Sequence, residues 1–442
     1  MHRLKNSLFP LALLLAFVPS VIFAAGPLAI QGARIITVAG DEIETGTVLI
    51  RDGIIEAVGA DVDIPGEAKV IDGEGMVVMP GYIDAHNSAG MSQANEQNSV
   101  VPFLSVVDSI DPISSYFEEC RRNGITTAAV VPGNSTLIGG KAAIVKTAGG
   151  YVNDMLVRRD SALKLSMRPT SGSRMSQMAR LRRELNKAKK ALEKEAESKE
   201  SDSKKDAKED NSEKSDKKPS EDSSKDEKEE SDSKAKTPED EGLAALKLAL
   251  QGDLPVYIYC EVAMDVSSAL SVCDEFGLSP IFVLGRDCHK AAKLLSTKAE
   301  SIILDPTLVY WETDPRTRED SKIVLPKIYQ DAGLELVFQV SPASSRGAVG
   351  SSYFWYQAAT AVKYGMSEDK AYESLTLGPA KLLGIADQVG SIEVGKEADL
   401  VVLTGAPLDI SSWVQYTIVG GEVVYDRDED KKLERLLTPT AE

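Results

Sequence analysis

The sequence predicts an α/β protein in which a (β/α)8 TIM-type barrel is joined to a small β-sandwich built from the N- and C-terminal segments. Two observations lead to this prediction. Short β-rich runs separated by Gly and Asp turns occupy residues 29–78 and recur over about 390–426. Between them, eight largely apolar runs alternate with helical patterns, which is typical of strands buried on both faces. A chain of 442 residues with 43% hydrophobic content can bury such a core.

The β-sandwich is predicted from both ends of the chain. Its runs are "ARIITVAG", "GTVLIRDGIIEAVG" and "AKVIDGEGMVVMPG" at the start, and "GSIEVGKEADLVVLTG" and "VQYTIVGGEVVYDRD" near the end. We assign residues 26–78 and 390–426 to this unit, residues 79–389 to the barrel and residues 427–442 to a polar tail.

The barrel is predicted from eight candidate strands with helical patterns between them. In chain order these are "GMVVMPGYIDAH", "GITTAAVVPG", "KAAIVKTAG", "ALKLSMRP", "PVYIYCEVA", "PIFVLG", "SIILDP" and "LELVFQVSP". The glycine-rich run 131–140 lacks the Lys-Ser/Thr ending of a phosphate-binding loop, so we interpret it as a loop after a strand that lines the pocket.

One charged low-complexity insertion interrupts the barrel. Residues 191–240 contain 19 acidic and 12 basic residues, with serine filling most of the remainder. Such a segment buries too little apolar surface to offset its chain entropy, so we expect it to be disordered or a solvated helix extension. Just before it, Leu181, Leu185, Ala188 and Leu192 follow helical spacing and predict a helix with a narrow apolar stripe.

Residues 1–25 have the three parts of an export signal peptide: a short basic start, an apolar run over residues 8–23, and small residues at Ala24 and Ala25. An uncleaved anchor is the alternative, but the apolar run is short and contains two prolines. We expect an exported, periplasmic or extracellular protein whose mature chain has no integral membrane span.

The net charge limits the class of binding partner. The formal net charge of -18 argues against a nucleic-acid partner, since phosphate binding depends on an excess of Lys and Arg.

The four cysteines, at 120, 260, 273 and 288, lack metal-binding spacing, so we expect them to be small buried residues, although export would permit a disulfide. Apart from His2, the only histidines are His86 and His289, and we expect His289 to be a surface or helix-capping residue.

Three stretches resemble the amidohydrolase superfamily, and in particular the imidazolonepropionase-like and related exported amidohydrolases. "VVMPGYIDAH" at 77–86 resembles the first-strand motif, and "GITTAAVVPGNSTLIGGKAAIVK" at 124–146 resembles the second and third strands of one subfamily. "LTLGPAKLLGIADQVGSIEVGKEADLVVL" at 375–403 resembles the return from barrel to sandwich. The resemblance implies C–N bond hydrolysis by a metal-activated water at the carboxyl ends of the strands.

The resemblance also implies a set of ligands, and this chain keeps few of them. The first strand-1 histidine corresponds to His86, but the second falls on Ser88, whose hydroxyl is a far poorer ligand. The lysine that is often carboxylated in the family corresponds to Lys146.

At the remaining ligand positions that the resemblance implies, this chain has other residues. The strand-5 histidine falls on Tyr259 or Glu261, and the strand-6 histidine falls on Leu284. The strand-8 carboxylate falls near Ser341, where no acidic residue stands. The sequence therefore indicates a degenerate metal site, with residual pocket candidates His86, Lys146, Tyr259, Glu261 and Ser341.

Three interpretations follow. The first is a pseudoenzyme without a cofactor that binds a small molecule or protein, or associates with an active relative. The alternative is an active enzyme whose single divalent, Zn-type metal is held by His86, Lys146 and Glu261, with Cys260 or Asp305 as further donors. The third is metal-free hydrolysis by Glu261 with His86 or Tyr259.

Overall fold

The computed structural model describes residues 26–170, 172–209, 237–340 and 354–437. The strands are β1 Leu28–Ile35, β2 Ile43–Arg51, β3 Ile54–Gly59, β4 Lys69–Asp72, β5 Val77–Pro80, β6 Tyr82–Asn87, β7 Ile125–Val130, β8 Ile138–Lys146, β9 Leu156–Ser166, β10 Val256–Val262, β11 Pro280–Asp287, β12 Ser301–Ile303, β13 Val309–Thr313, β14 Asp320–Val324, β15 Glu335–Val337, β16 Leu400–Leu403, β17 Val414–Val419 and β18 Glu422–Asp426. The α-helices are α1 Ser115–Arg122, α2 Val152–Met155, α3 Arg174–Glu209, α4 Pro238–Gln251, α5 Ala263–Phe276, α6 Ala292–Leu295, α7 Leu325–Asp331, α8 Phe354–Lys363, α9 Glu368–Leu375, α10 Leu377–Leu383 and α11 Lys431–Leu437.

The eight strands predicted for the barrel form one sheet in the order β15-β12-β11-β10-β9-β8-β7-β6. This confirms the predicted fold class, an α/β barrel with a separate β unit. The barrel is nearly closed: β15 and β6 are the two ends of the strand order, and side chains rather than a backbone ladder connect them.

One strand departs from the parallel arrangement of a regular (β/α)8 barrel. Strand β8 runs antiparallel to both β7 and β9. Only residues 131–137 separate β7 from β8, whereas a parallel neighbour requires a crossover of roughly a dozen residues or more. The end of β8 therefore lies at the opposite end of the barrel from the ends of β6 and β7.

A second sheet is built from both ends of the chain, as the sequence predicted. Its strands are ordered β18-β17-β16-β5-β1-β2-β3, and β4 pairs with β1. The chain passes from this sheet into the barrel at Gly81, between β5 and β6. A Cβ atom at Gly81 would lie only 2.2 Å from the side chain of Thr126, so this junction requires glycine.

Two apolar layers fix which strand residues face the barrel interior. Ile83, Tyr257 and Val283 belong to an inner cluster, whereas Cys260 and Leu284 belong to the larger cluster between the strands and the helices. The alternation along a strand separates neighbouring residues such as Val283 and Leu284 onto opposite faces.

The predicted amphipathic helix corresponds to the first half of α3. Leu181, Leu185 and Ala188 are buried, while Leu192 is half-buried. Residues 191–209 of the charged insertion continue this helix, and Glu195 pairs with Lys247 of α4 at 2.5 Å. The predicted signal peptide, residues 210–236 of the insertion and Ser341 lie outside the described residues. Within the described ranges, no helix combines the length and hydropathy needed to cross a membrane.

Candidate functional site

His86 is held near the end of β6 in one tautomer. The residue is 3% exposed, and its Nδ1 atom lies 2.8 Å from Oε1 of Gln339. The Gln339 amide donates through Nε2 to the carbonyl oxygen of Leu304 at 2.6 Å, which leaves Oε1 as an acceptor. This network indicates that Nδ1 of His86 carries the proton and that Nε2 is an acceptor.

Lys164 lies opposite that acceptor. Its Nζ atom is 2.9 Å from Nε2 of His86, and the side chain is completely buried on β9. The ring centres of Tyr257 and Tyr259 lie 6.0 and 5.7 Å from Nζ. Among residues 26–170, 172–209, 237–340 and 354–437, no carboxylate forms an ion pair with Lys164.

Burial determines the charge of this pair. It lowers the pKa of Lys164 from 10.5 to about 7, because an ammonium group loses its hydration without gaining a counter-ion. Burial and the nearby Lys164 charge hold the pKa of His86 well below its ordinary value. The imidazole is therefore neutral, and it accepts a hydrogen bond from the lysine amine.

Asp84 and Asn87 connect β6 to the segment after β15. The backbone N–H of Val340 donates to Oδ1 of Asp84 at 3.1 Å, and the Asn87 amide donates to the carbonyl oxygen of Val340 at 3.4 Å. The Tyr116 hydroxyl donates to Oδ2 of Asp84 at 2.8 Å. Burial raises the pKa of Asp84 to about 6. Through these contacts Asp84 links β6 to α1 and to the segment after β15.

Lys146 does not join this site, which corrects the arrangement expected from the sequence. It lies at the end of the antiparallel strand β8, level with Thr127, near the start of β7. Its Nζ atom contacts carboxylate oxygens of Asp399 at 2.8 Å and Glu397 at 2.6 Å. The reversed direction of β8 places Lys146 at the end of the barrel opposite His86. Lys164, on the neighbouring strand, occupies the position next to the histidine.

The strand-5 candidates separate in the structure. Tyr259 is half-buried, packs against the inner cluster and lies beside Lys164. Glu261 is instead held by Arg168 at 3.1 Å and Arg174 at 3.8 Å, so its carboxylate neutralises two guanidinium groups. Lys146 and Glu261 therefore have different partners, and neither lies against His86 as the alternative interpretation requires.

Leu284 and Ser88 stand at two further positions where the resemblance implies histidine ligands. Leu284 is 1% exposed and belongs to the outer cluster, so its side chain faces the helices and not the barrel interior. Ser88 follows the last residue of β6 and is half-buried. His289, expected to be a surface or helix-capping residue, is buried, with Nδ1 at 3.0 Å from the Arg286 carbonyl oxygen and 3.1 Å from the Tyr310 hydroxyl.

The described residues around His86 include few of the usual ligands of a divalent metal. Such a centre usually requires three or more His, Cys, Asp or Glu ligands, and no group of three that could hold a metal occurs among the described residues. Residues 341–353, which follow the last barrel strand, contain none of these four residue types. The ligand atom that His86 would offer, Nε2, already accepts from Lys164. His86, Lys146 and Glu261 are each held by different partners.

Comparison with known proteins shows what this chain is similar to. Residues 326–424 match the amidohydrolase family. An amidohydrolase of Thermotoga maritima superposes with a TM-score of 0.74 at 23% identity, over 90% of this chain and 100% of that one. The chain therefore contains a region, residues 326–424, that matches the amidohydrolase family, and it has the fold of the Thermotoga maritima amidohydrolase. Members of the amidohydrolase superfamily are hydrolases that act on C–N bonds and usually use a metal.

Two curated relatives show how the similarity is distributed over this amidohydrolase homologue. The amidohydrolase tasK of Hapsidospora irregularis is 24% identical over 409 residues, which cover 86% of this chain and 40% of that protein. The imidazolonepropionase of Porphyromonas gingivalis is 42% identical over 67 residues, 14% of this chain and 16% of that protein. The chain thus spans less than half the length of either curated relative.

Sequence reasoning missed Lys164 and Gln339, the two residues that hold His86. The signal for Lys164 was present, since it is the one charged residue in the apolar run "ALKLSM" and shares the inward-facing parity of Ala162. Gln339 similarly interrupts "LELVFQV". Polar residues within buried barrel strands are costly unless they are bonded, so such interruptions indicate a site.

Proposed function

We propose that this amidohydrolase homologue is a metal-free binding protein that does not hydrolyse C–N bonds. The observation that carries the proposal is the 2.9 Å contact between Nζ of Lys164 and Nε2 of His86. The imidazole nitrogen that a metal would need is used by a lysine of the same chain. A metal could bind there only by displacing the buried amine and by finding further ligands.

The energetic argument favours the lysine. In the described part of the chain, no carboxylate stands near Nε2 of His86 to offset the charge of a divalent ion. A cation without anionic ligands in a buried site pays a desolvation cost of several kcal/mol. The amine can lose its charge by releasing a proton, whereas a metal ion cannot.

A second candidate is C–N hydrolysis, which is supported by the names of the relatives. An imidazolonepropionase and two amidohydrolases are similar to this chain, and such reactions act on small molecules with amide-like C–N bonds. It would require a metal centre assembled from ligands other than the contacts described above.

Metal content of the purified full chain distinguishes the two candidates. We expect elemental analysis to find less than about a tenth of an equivalent of any divalent metal after chelator-free purification, with no uptake of added Zn²⁺, Mn²⁺ or Co²⁺. His86→Ala serves as the matched control. A stoichiometric metal in the wild-type chain that disappears in His86→Ala would overturn the proposal and support the hydrolase.

A further inference from the structure

We infer that a groove between the barrel and the terminal sheet binds a long-chain carboxylate, a molecule with an apolar tail and one anionic group. The groove has a volume of about 880 Å³. Ligand sites usually occupy roughly 300–1,000 Å³ and are lined by apolar and aromatic side chains with a few polar groups. The groove lies outside the barrel, so the inference goes beyond the proposed function and does not depend on the metal content of the His86 site.

Separate parts of the chain form this groove. Its innermost residues are Tyr82, at the start of β6, and Leu403, at the end of β16, which are 2% and 3% exposed. One wall is the first turn of α8, with Trp355 and Tyr356. The opposite wall consists of the loop between β16 and β17 and of helix α11. Because these elements are distant in sequence, the groove exists only in the folded chain.

Apolar side chains remain exposed along the groove. Tyr356, Ile410, Trp413 and Leu436 are between 54% and 82% exposed, and all four line it. Exposed apolar residues that are scattered singly need no explanation, whereas several that converge on one concave surface mark a binding site. An alkyl chain laid along the groove would remove these surfaces, and its own, from water.

One cation in the groove has no carboxylate partner. Three basic residues line the groove, and two of them are neutralised. Arg122 donates to Asp430 at 2.9 Å, and Lys432 pairs with Glu118 at 2.7 Å. Arg427 forms no ion pair across the described ranges of the chain, and its guanidinium group lies on an aromatic ring instead. This charge is complementary to a single anionic group at one end of an apolar ligand.

Trp413 orients that cation. The guanidinium carbon of Arg427 lies 4.7 Å from the centre of the Trp413 ring. A guanidinium group stacked on a ring keeps the N–H groups along its edge, and these can bind a carboxylate through two parallel hydrogen bonds. Since Trp413 also lines the groove, the head group and the tail of one ligand molecule would contact this residue pair together.

The local charge favours a single ligand molecule over a lipid bilayer. Residues 426–435, which border the groove, contain five acidic and four basic residues. Anionic membrane surfaces attract clusters of Lys and Arg that are not balanced by acidic residues. We therefore assign the groove to a dissolved long-chain carboxylate.

Tryptophan quenching tests the inference on the full chain. Trp355 and Trp413 line the groove and are two of the three tryptophans, so both tryptophans that remain in Trp311→Phe report on it. Dibromostearate, whose bromine atoms quench indole on contact, should lower the emission of this parent variant saturably, with a Kd on the order of 10 µM. The uncharged methyl ester of dibromostearate should bind at least about tenfold more weakly, because it lacks the charge-assisted hydrogen bonds.

Arg427→Gln in the same parent variant tests the contact with the head group. It should weaken binding of the acid about tenfold and leave the ester unchanged, so that the two ligands bind alike. Arg286→Gln is the matched control, since Arg286 also stacks on a ring, 5.3 Å from the centre of Tyr310, but does not line the groove. It should keep the preference for the acid. Equal affinity for acid and ester in the parent variant would overturn the inference.

Ile410→Ser tests the apolar wall. It should weaken binding of both ligands about fivefold, because less apolar surface is buried on binding. Ile113→Ser is the matched control, since Ile113 is similarly exposed but lies outside the groove. Unchanged binding in Ile410→Ser would contradict a ligand in this groove.

Three other outcomes would overturn the inference. The first is the absence of saturable quenching in the parent variant, with circular dichroism showing that it is folded. The second is quenching by vesicles of brominated phosphatidylcholine and not by the dissolved acid, which would assign the groove to a lipid surface. The third is a dimer in sedimentation that excludes the acid and dissociates in Ile410→Ser, which would assign it to a second copy. None of them changes the metal content, so failure here is distinguishable from failure of the proposed function.

Discussion

At the scale of the residue, Asp84 gives the clearest dependence of folding stability on pH. Burial raises its pKa from 3.8 to about 6, so the folded chain binds this proton more tightly than the unfolded chain. The free energy of unfolding should therefore fall as the pH rises from about 4 to about 6 and then level off. A pKa difference of about 2 corresponds to a change of about 3 kcal/mol. Urea unfolding followed by circular dichroism across this range measures it.

Asp84→Asn is the matched control for this prediction. The amide oxygen can still accept from the N–H of Val340, and its nitrogen can donate to the Tyr116 hydroxyl. In the variant, the free energy of unfolding should lose most of its pH dependence between pH 4 and pH 6. The other titrating groups contribute equally to both proteins, so the difference between the two curves isolates Asp84. Parallel curves for the two proteins would show that folding does not raise the pKa of Asp84.

The site was only partly predictable from its residues. His86 could be placed, because the run before it reads as a buried strand that ends at the barrel mouth. Lys164 and Lys146 both lie in β-rich runs of the sequence. Matching the chain to the family motifs assigned the site lysine to Lys146. The choice depends on strand direction, which the sequence pattern does not encode: reversing β8 exchanges the two ends of the barrel for every residue on it.

At the scale of the element, Lys146 anchors the end of β8 to the loop that precedes β16. Its partner Asp399 is 3% exposed and also accepts from Thr127 and from the backbone of Gly420. Lys146→Met should lower the free energy of unfolding by about 3 kcal/mol, because it leaves a buried carboxylate without its cation. Chemical denaturation measures the loss.

Lys141→Met provides the comparison on the same strand. The Lys141–Asp160 pair is partly exposed, so removing it should cost about 1 kcal/mol or less. Equal losses in the two variants would mean that the Lys146 pair contributes no more than a surface ion pair.

The eight barrel strands were predictable because each is a near-continuous apolar run with clear turn residues around it. Their relative directions were only partly predictable, because one of them runs antiparallel to its neighbours. A signal for the reversal of β8 did exist in the short stretch 131–137, which has no room for a crossover helix. The charged stretch 191–209 was also ambiguous, since its composition suits both a disordered chain and the helix that α3 forms there.

At the scale of the whole molecule, the chain cannot complete its second sheet until its last segment has been made. Strand β16 pairs with β5 along four residues, from Leu400 opposite Pro80 to Leu403 opposite Val77. β5 leads directly into β6, which carries His86. The end of the chain therefore supports the strand that holds the candidate site.

Two truncations test this dependence. A chain that stops after Thr404 loses β17 and β18, leaves β16 unpaired on one edge and removes the strand that lies against α1 through the bond from Thr417 to the Arg121 carbonyl oxygen. We expect it to be insoluble or to show no cooperative thermal transition by circular dichroism. A chain that stops after Asp430 loses only α11 and the residues after it, and it keeps the contact of Asp430 with Arg122, so it should unfold cooperatively. If the shorter chain also folded cooperatively, the barrel would be independent of the terminal sheet.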